Sequence, residues 1–272
     1  GMEAILDYPS GVHPLRHRIE FTETASRFEL VDEAIENAEP GPGYPDPSFF
    51  YRFQNGHPVL SMRDGGRRQL QREDIAPDES ILSQRKDPDQ YLELAYLAAA
   101  YADIRLYREW AFGRSSVFRV PQAADLPGDR LEEDFSNLGL FLNHLRGMPS
   151  AKKSMLEHLG NLYEGLDDFD VRIKGGTVEV FLTEGDFIMP ASRLSDGTLR
   201  YLCLLAILCD PDPPSLVCIE EPELGLHPDL LPKLADLMRT ASARSQLVIT
   251  THSDILVDAM TEEPEAVVVV EK

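Results

Sequence analysis

Three short stretches near the end of this 272-residue chain place reactive side chains directly after apolar runs or at a polar turn. Leu216-Val217-Cys218-Ile219 has a buried-strand pattern and stops at two carboxylates, Glu220 and Glu221. Val248-Ile249-Thr250-Thr251 has the same pattern and stops at His252. Leu194-Ser195-Asp196-Gly197-Thr198 is a polar turn opening a helix, with Ser195 lying 25 residues before Glu220. Ligands collect outside the C-terminal edge of a parallel sheet, so carboxylates there can face a metal ion and water. Successive strand residues point to opposite sides, so Glu220 and Glu221 would have different tasks. Ser195 can cap its helix, Gly197 lets backbone come close to an anion, and the free N–H groups of the helix start attract negative charge. A phosphate, a metal and an activated water are the chemistry that such parts suit.

The string Glu220-Glu221-Pro222-Glu223-Leu224-Gly225-Leu226-His227-Pro228 resembles the ABC-type ATPases, in particular the soluble group related to SMC, RecF and OLD proteins. Leu194 to Thr198 matches their signature L-S-x-G-x, and the resemblance is strongest from about Arg193 to Val270. It implies ATP and Mg²⁺ as cofactors. Glu220 would hold Mg²⁺ in the Walker B motif, Glu221 would polarise the attacking water, and His252 would be the switch histidine contacting the γ-phosphate. Ser195 and Gly197 would dock on the ATP of an opposite protomer, and His227 with Pro228 would form the loop that crosses the dimer interface. The family usually has aspartate where Glu220 stands, so the metal ligand here is one methylene longer. Transporter subunits fit less well: the glutamine that usually follows their signature is missing, and Leu226-His227-Pro228 replaces their S-x-L-D.

No G-x-x-x-x-G-K-[ST] stretch occurs in the sequence, so the phosphate cradle of the family is not among these residues. This chain alone is therefore expected to bind ATP weakly. Two functions follow from different classes. One is an ATP-hydrolysing head that works as a dimer, or pairs with another ATPase head, in DNA maintenance or defence against foreign DNA, with DNA or a nuclease as a possible partner. The other is a non-catalytic interaction module that pairs with a complete ATPase.

The elements that must position these residues are an α/β alternation. Helices are expected over Ser195–Leu208, Pro228–Ala241 and Asp254–Met260, and strands over Leu216–Ile219, Gln246–Thr250 and Ala266–Val270, which implies right-handed crossovers and a parallel sheet. Earlier, strand patterns flank Asn55-Gly56 and Asp64-Gly65-Gly66, and Arg18–Phe21 alternates, giving an antiparallel meander. Asp87 with Pro88 reads as a helix start, Ile104–Trp110 as a strand, Asn137–Leu145 and Ala151–Tyr163 as helices, and Gly175-Gly176 as a hairpin turn. The expected fold class is thus α/β: a P-loop NTPase-like ABC ATPase head with a parallel sheet core, an antiparallel strand region and a helical region. The corresponding parts are residues 1–86, strand-rich; 87–191, helices and a hairpin; and 192–272, the parallel lobe. The valine run at the end suggests a sequence cut from a larger domain.

A composition of 43% hydrophobic and 27% charged residues fits a globular chain able to bury a core. The longest apolar run, Leu202–Cys209, is too short to cross a bilayer, so no membrane partner is expected. Cys203, Cys209 and Cys218 lie in apolar runs without C-x-x-C spacing, which fits reduced thiols in a cytoplasmic protein rather than a zinc site. A formal charge of -21 opposes broad, non-specific DNA binding but leaves room for a local basic groove near Arg63, Arg67 and Arg68 or Arg105 and Arg108. His13 and His17 are four apart, yet Pro14 breaks any helix that would align them.

Overall fold

The computed structural model describes residues 1–24, 27–54, 57–62, 66–71, 75–76, 78–85, 87–114, 116–162 and 165–270. The expected turns at Asn55-Gly56 and Asp64-Gly65, together with Arg63 and Tyr163, lie outside them. Two compact units divide the chain, Gly1–Asp103 and Ile104–Lys272.

The first unit is built on a six-stranded antiparallel meander in chain order: β1 (Met2–Leu6), β2 (Leu15–Thr24), β3 (Arg27–Asn37), β4 (Phe49–Gln54), β5 (His57–Ser61) and β6 (Arg67–Gln69). Two helices, α1 (Ile81–Gln84) and α2 (Leu92–Ala102), complete it. Apolar residues of one sheet face, Leu15, Ile35, Tyr51 and Leu60, share a core with Leu94 and Leu97 of α2. Glu33 is fully buried on β3 and stays satisfied through Ser80 Oγ, Ile81 N–H and His17 Nε2, the last at 3.2 Å. His17 is thereby committed to a structural network with Glu33 and Tyr101, whose hydroxyl is 2.9 Å from its Nδ1. The helix expected to start at Asp87 begins at Leu92 instead. Asp87 accepts from Asp89 N–H on its side chain (3.0 Å) and from Tyr91 N–H on its carbonyl (2.9 Å), which caps and closes a single turn that stops short of α2.

The second unit holds β7 (Arg105–Tyr107), β8 (Gln122–Ala123), α3 (Leu138–Arg146), α4 (Pro149–Leu159), β9 (Leu166–Lys174), β10 (Thr177–Glu184), β11 (Phe187–Pro190), α5 (Asp196–Leu208), β12 (Leu216–Glu220), α6 (Leu231–Ser242), β13 (Gln246–Thr250) and α7 (Asp254–Asp258). Strands β9 and β10 pair as a hairpin through Gly175 and Gly176, both at positive φ (+61° and +79°), as the two glycines predict. The parallel sheet has the order β13-β12-β7, with Leu216 opposite Gln246 and Glu220 opposite Thr250. Its third strand is the short β7, not the expected Ala266–Val270. That run forms no strand: Pro264–Ala266 is a 3₁₀ turn, and Val268, Val269 and Val270 are 81%, 79% and 89% exposed. Valine favours a strand only where a neighbour pairs with it and covers it, and neither holds for this run among the described residues.

Helix α5 is the centre of the unit, buried at every position from Leu199 to Leu208 against α3, α4, α6 and both sheets. Each buried leucine there contributes about 1.5–3 kcal/mol. Cys203 and Cys209 are buried, Cys218 is half-buried and all three are unbridged; burial raises their thiols, Cys209 to about 11. No helix among the described residues is long and apolar enough to cross a membrane.

Candidate functional site

Parallel pairing brings the ends of β12 and β13 to one edge, and with them the residues that the sequence singles out. His252 Nε2 stands 3.6 Å from Glu221 Oε1, and both side chains reach solvent. Glu221 adopts φ +43°, a left-handed conformation uncommon for a residue with a side chain. Pro222 disfavours the right-handed alternative at the residue before it, so the chain leaves the strand by this turn. The turn is fixed by Glu221 N–H donating to Thr250 C=O (2.9 Å) and by its own carbonyl accepting from Leu224 N–H (3.2 Å). Glu220 ends β12 exposed, and its carbonyl accepts from Trp110 Nε1–H at 2.9 Å.

Ser195 caps α5, accepting from Thr198 N–H at 3.0 Å while its hydroxyl shares a 2.8 Å bond with that of Thr198. Gly197 packs against the loop after β12: a Cβ there would lie 2.6 Å from the carbonyl oxygen of Gly225. Ser195, Gly197 and Thr198 line one open cavity of about 520 Å³ with Gly225, His227 and Pro228. His227 is exposed and caps the following turn through Asp229 N–H. The structure therefore forms two groups of expected residues, Glu220–Glu221–His252 at the strand ends and Ser195–Gly197–His227 around the cavity.

Three further residues shape the site, and the sequence reading passed over them. Glu223 is partly buried; its Oε1 accepts from Thr251 Oγ1–H (2.7 Å) and His252 N–H (2.9 Å), so it sets the backbone of the histidine. Arg119 donates to the carbonyls of Ser192 (3.1 Å) and Leu194 (2.6 Å) and pairs with the Asp196 carboxylate, clamping the polar turn. Arg200 is buried on α5 and donates to the carbonyls of Leu224 (2.6 Å) and Glu221 (3.4 Å). Burial pushes its guanidinium below the ordinary value, opposed by the nearby carboxylates of Glu223 and Glu221. Its signal was present in the sequence as one cation inside the apolar run of α5.

No group of three or more metal-ligating side chains converges among the described residues. Mg²⁺ uses one or two carboxylates, waters and substrate phosphates rather than an all-protein cage. Glu220 and Glu221 offer the hard oxygen donors such an ion takes.

Residues 9–258 match the protein family described as "AAA domain, putative AbiEii toxin, Type IV TA system". The chain belongs to this family. The family is described as an AAA domain, and this chain carries it on an α/β fold with a parallel sheet core beside antiparallel and helical regions. Solved structures to which the chain is similar include an SMC head bound to the C-terminal winged-helix domain of ScpA, at 16% identity over 84% of this chain and 68% of that one, with a TM-score of 0.46. A Pyrococcus furiosus SMC head with an extended coiled coil, bound to the C-terminal domain of ScpA, is 14% identical over 85% and 72%, with a TM-score of 0.38. The Thermotoga maritima SMC head domain is 11% identical over 92% and 68%, with a TM-score of 0.33. No curated protein matches the chain.

Proposed function

We propose that this AAA-family chain is an ABC-type ATP-binding and ATP-hydrolysing head that works as an ATP-sandwiched dimer, in DNA maintenance or in defence against foreign DNA. The observation that carries the reading is the 3.6 Å approach of His252 Nε2 to Glu221 Oε1 at the ends of two parallel strands. In this reading the Glu221 carboxylate accepts a hydrogen bond from the water that attacks the γ-phosphorus, and His252 donates to an oxygen of that phosphate. Glu220 would hold Mg²⁺, which would supply positive charge to offset that of the nucleotide's phosphates. The other protomer presents its Ser195 hydroxyl and the N–H groups of its α5 start to the same γ-phosphate. His227 lies in the loop that meets the partner. The toxin–antitoxin wording of the family description supports the defence branch; DNA or a nuclease as partner and the cytoplasm as location belong to the same proposal.

The test is phosphate release by the full-length protein with ATP and Mg²⁺, with and without duplex DNA, alongside its mass by light scattering. Release that requires Mg²⁺, and a doubled mass with a non-hydrolysable analogue, are expected. A protein that neither hydrolyses ATP nor changes mass contradicts the proposal. A second reading, the non-catalytic module, has its support in the lack of a G-x-x-x-x-G-K-[ST] stretch in these residues. It gains if hydrolysis is found only when a complete ATPase head is added.

A further inference from the structure

We propose that Arg200 is a positioning residue that couples the Ser195 turn to the Glu221 carboxylate, so that docking at the turn sets the geometry for water attack. The proposal rests on the reading of the site given above. Arg200 follows Ser195 on the same helix by about one and a half turns. Every other position from Leu199 to Leu208 is apolar or aromatic and buried, so packing alone would accept a leucine at 200. A buried guanidinium costs several kcal/mol unless its donors are used. Here both Nη atoms donate to one object, the loop after β12: Nη1 to Leu224 C=O and Nη2 to Glu221 C=O.

The guanidinium also lies over the Trp110 ring, 4.5 Å from its centroid, with Phe112 at 5.5 Å. Trp110 in turn donates to the Glu220 carbonyl. The carbonyls of both glutamates are thus held, one by the arginine and one by the indole beneath it. Gly197 supplies a second link, since its Cα lies against Gly225 C=O with no room for a methyl group. Helix α5 therefore grips residues 221–225 at two points, and the loop opens on its left-handed residue, Glu221. A shift of the helix start would be transmitted as a shift of the Glu221 backbone, because a packed helix moves as a body. Nε of Arg200 is buried without a hydrogen-bond partner among the described residues, so the side chain is oriented by the loop and the rings rather than by a full set of bonds.

The experiment compares wild type, Arg200→Met, Arg200→Lys and Glu221→Gln in the full-length protein, measuring kcat and KM for ATP, ATP-dependent dimer mass and thermal midpoint. Arg200→Met is expected to lower kcat by about tenfold to a hundredfold, the range that misplacement of a catalytic group by an ångström produces. Its KM should stay within about twofold and its dimer should still form, because binding groups are untouched. Arg200→Lys keeps a cation over Trp110 but lacks the fork that reaches two carbonyls, so its kcat should fall between the two. If Arg200→Met does not fold, Arg200→Lys decides by the same readouts. A folded variant with wild-type kcat, or one that loses dimer and turnover together, overturns the coupling. Glu221→Gln separates the two failures. If it hydrolyses ATP normally, the site reading falls and the coupling with it; if it is inactive while the Arg200 variants are fully active, only the coupling falls.

Discussion

Gly197 and Gly225 touch backbone to backbone: a Cβ on residue 197 would sit 2.6 Å from the carbonyl oxygen of residue 225. The polar turn before α5 and the loop after β12 are therefore one packed unit, although 28 positions separate the two glycines in the sequence.

Gly197→Ala should test this contact. The methyl group meets a backbone oxygen that cannot rotate away, so a loss of about 1–3 kcal/mol is expected, as for overpacking in a core. Gly225→Ala has open space around it but φ +75°, and should cost about 1–2 kcal/mol through the left-handed backbone alone. Denaturant unfolding measures both, and the two costs should not add, because each change moves the same loop. Full additivity, or an unchanged midpoint for Gly197→Ala, would count against the packed unit.

Glu223 should prove to be the support of His252. Glu223→Ala leaves Thr251 Oγ1–H and His252 N–H without their acceptor, at a cost of about 1–3 kcal/mol in stability, and frees the histidine backbone. Glu223→Gln keeps an oxygen in the same place and should retain most of both stability and ATP turnover. Equal loss in the two variants would show that charge, not the hydrogen-bonded position, is what matters at 223.

Arg119 should matter for dimerisation more than for chemistry. Its guanidinium holds the carbonyls of Ser192 and Leu194 and the carboxylate of Asp196, so Arg119→Met loosens the turn proposed to meet the partner's nucleotide. The ATP concentration needed for half-maximal dimer should rise about tenfold, near the worth of a charge-assisted hydrogen bond. Turnover at saturating ATP should change far less. Sedimentation over an ATP series reads the first quantity, and a lowered maximum rate with unchanged half-saturation would contradict the assignment.

Much of the site lobe was readable because burial leaves plain signals. Ser195 followed by the apolar run to Cys209 gives α5 with its cap, and two short apolar runs ending in charge give β12 and β13. The 11-residue β3 falls in the strand-rich part expected over residues 1–86, but its bounds were not legible, since Glu29, Asp32, Glu33 and Glu36 break up any apolar alternation. It is a strand because partners far away in sequence neutralise what it buries: Ser80 and Ile81 at Glu33, Arg16 and Arg52 at Glu36. Val267–Val270 misleads in the opposite direction, a strand-like composition without pairing. Arg200 stood out only as a misfit inside an apolar helix. The carbonyls that accept from it belong to a loop more than 20 residues on, and nothing local announces them.

Glu221→Gln and Ser195→Arg should both abolish hydrolysis while differing in assembly. The glutamine keeps the size of the side chain and its contact with His252 but is a far weaker acceptor for the water proton. Loss of one placed base or electrostatic group costs on the order of a hundredfold or more in rate. ATP binding is untouched, so the ATP-bound dimer should accumulate. Ser195→Arg removes the cap that accepts from Thr198 N–H and puts a long cation into the cavity shared with Gly225 and His227, where the partner's γ-phosphate would dock. Closure should fail, and the protein should stay monomeric at any ATP concentration. Light scattering with ATP and Mg²⁺ discriminates the two. A monomeric Glu221→Gln beside a dimeric Ser195→Arg would reverse the assignments, because the carboxylate would then be needed for assembly and the serine for chemistry.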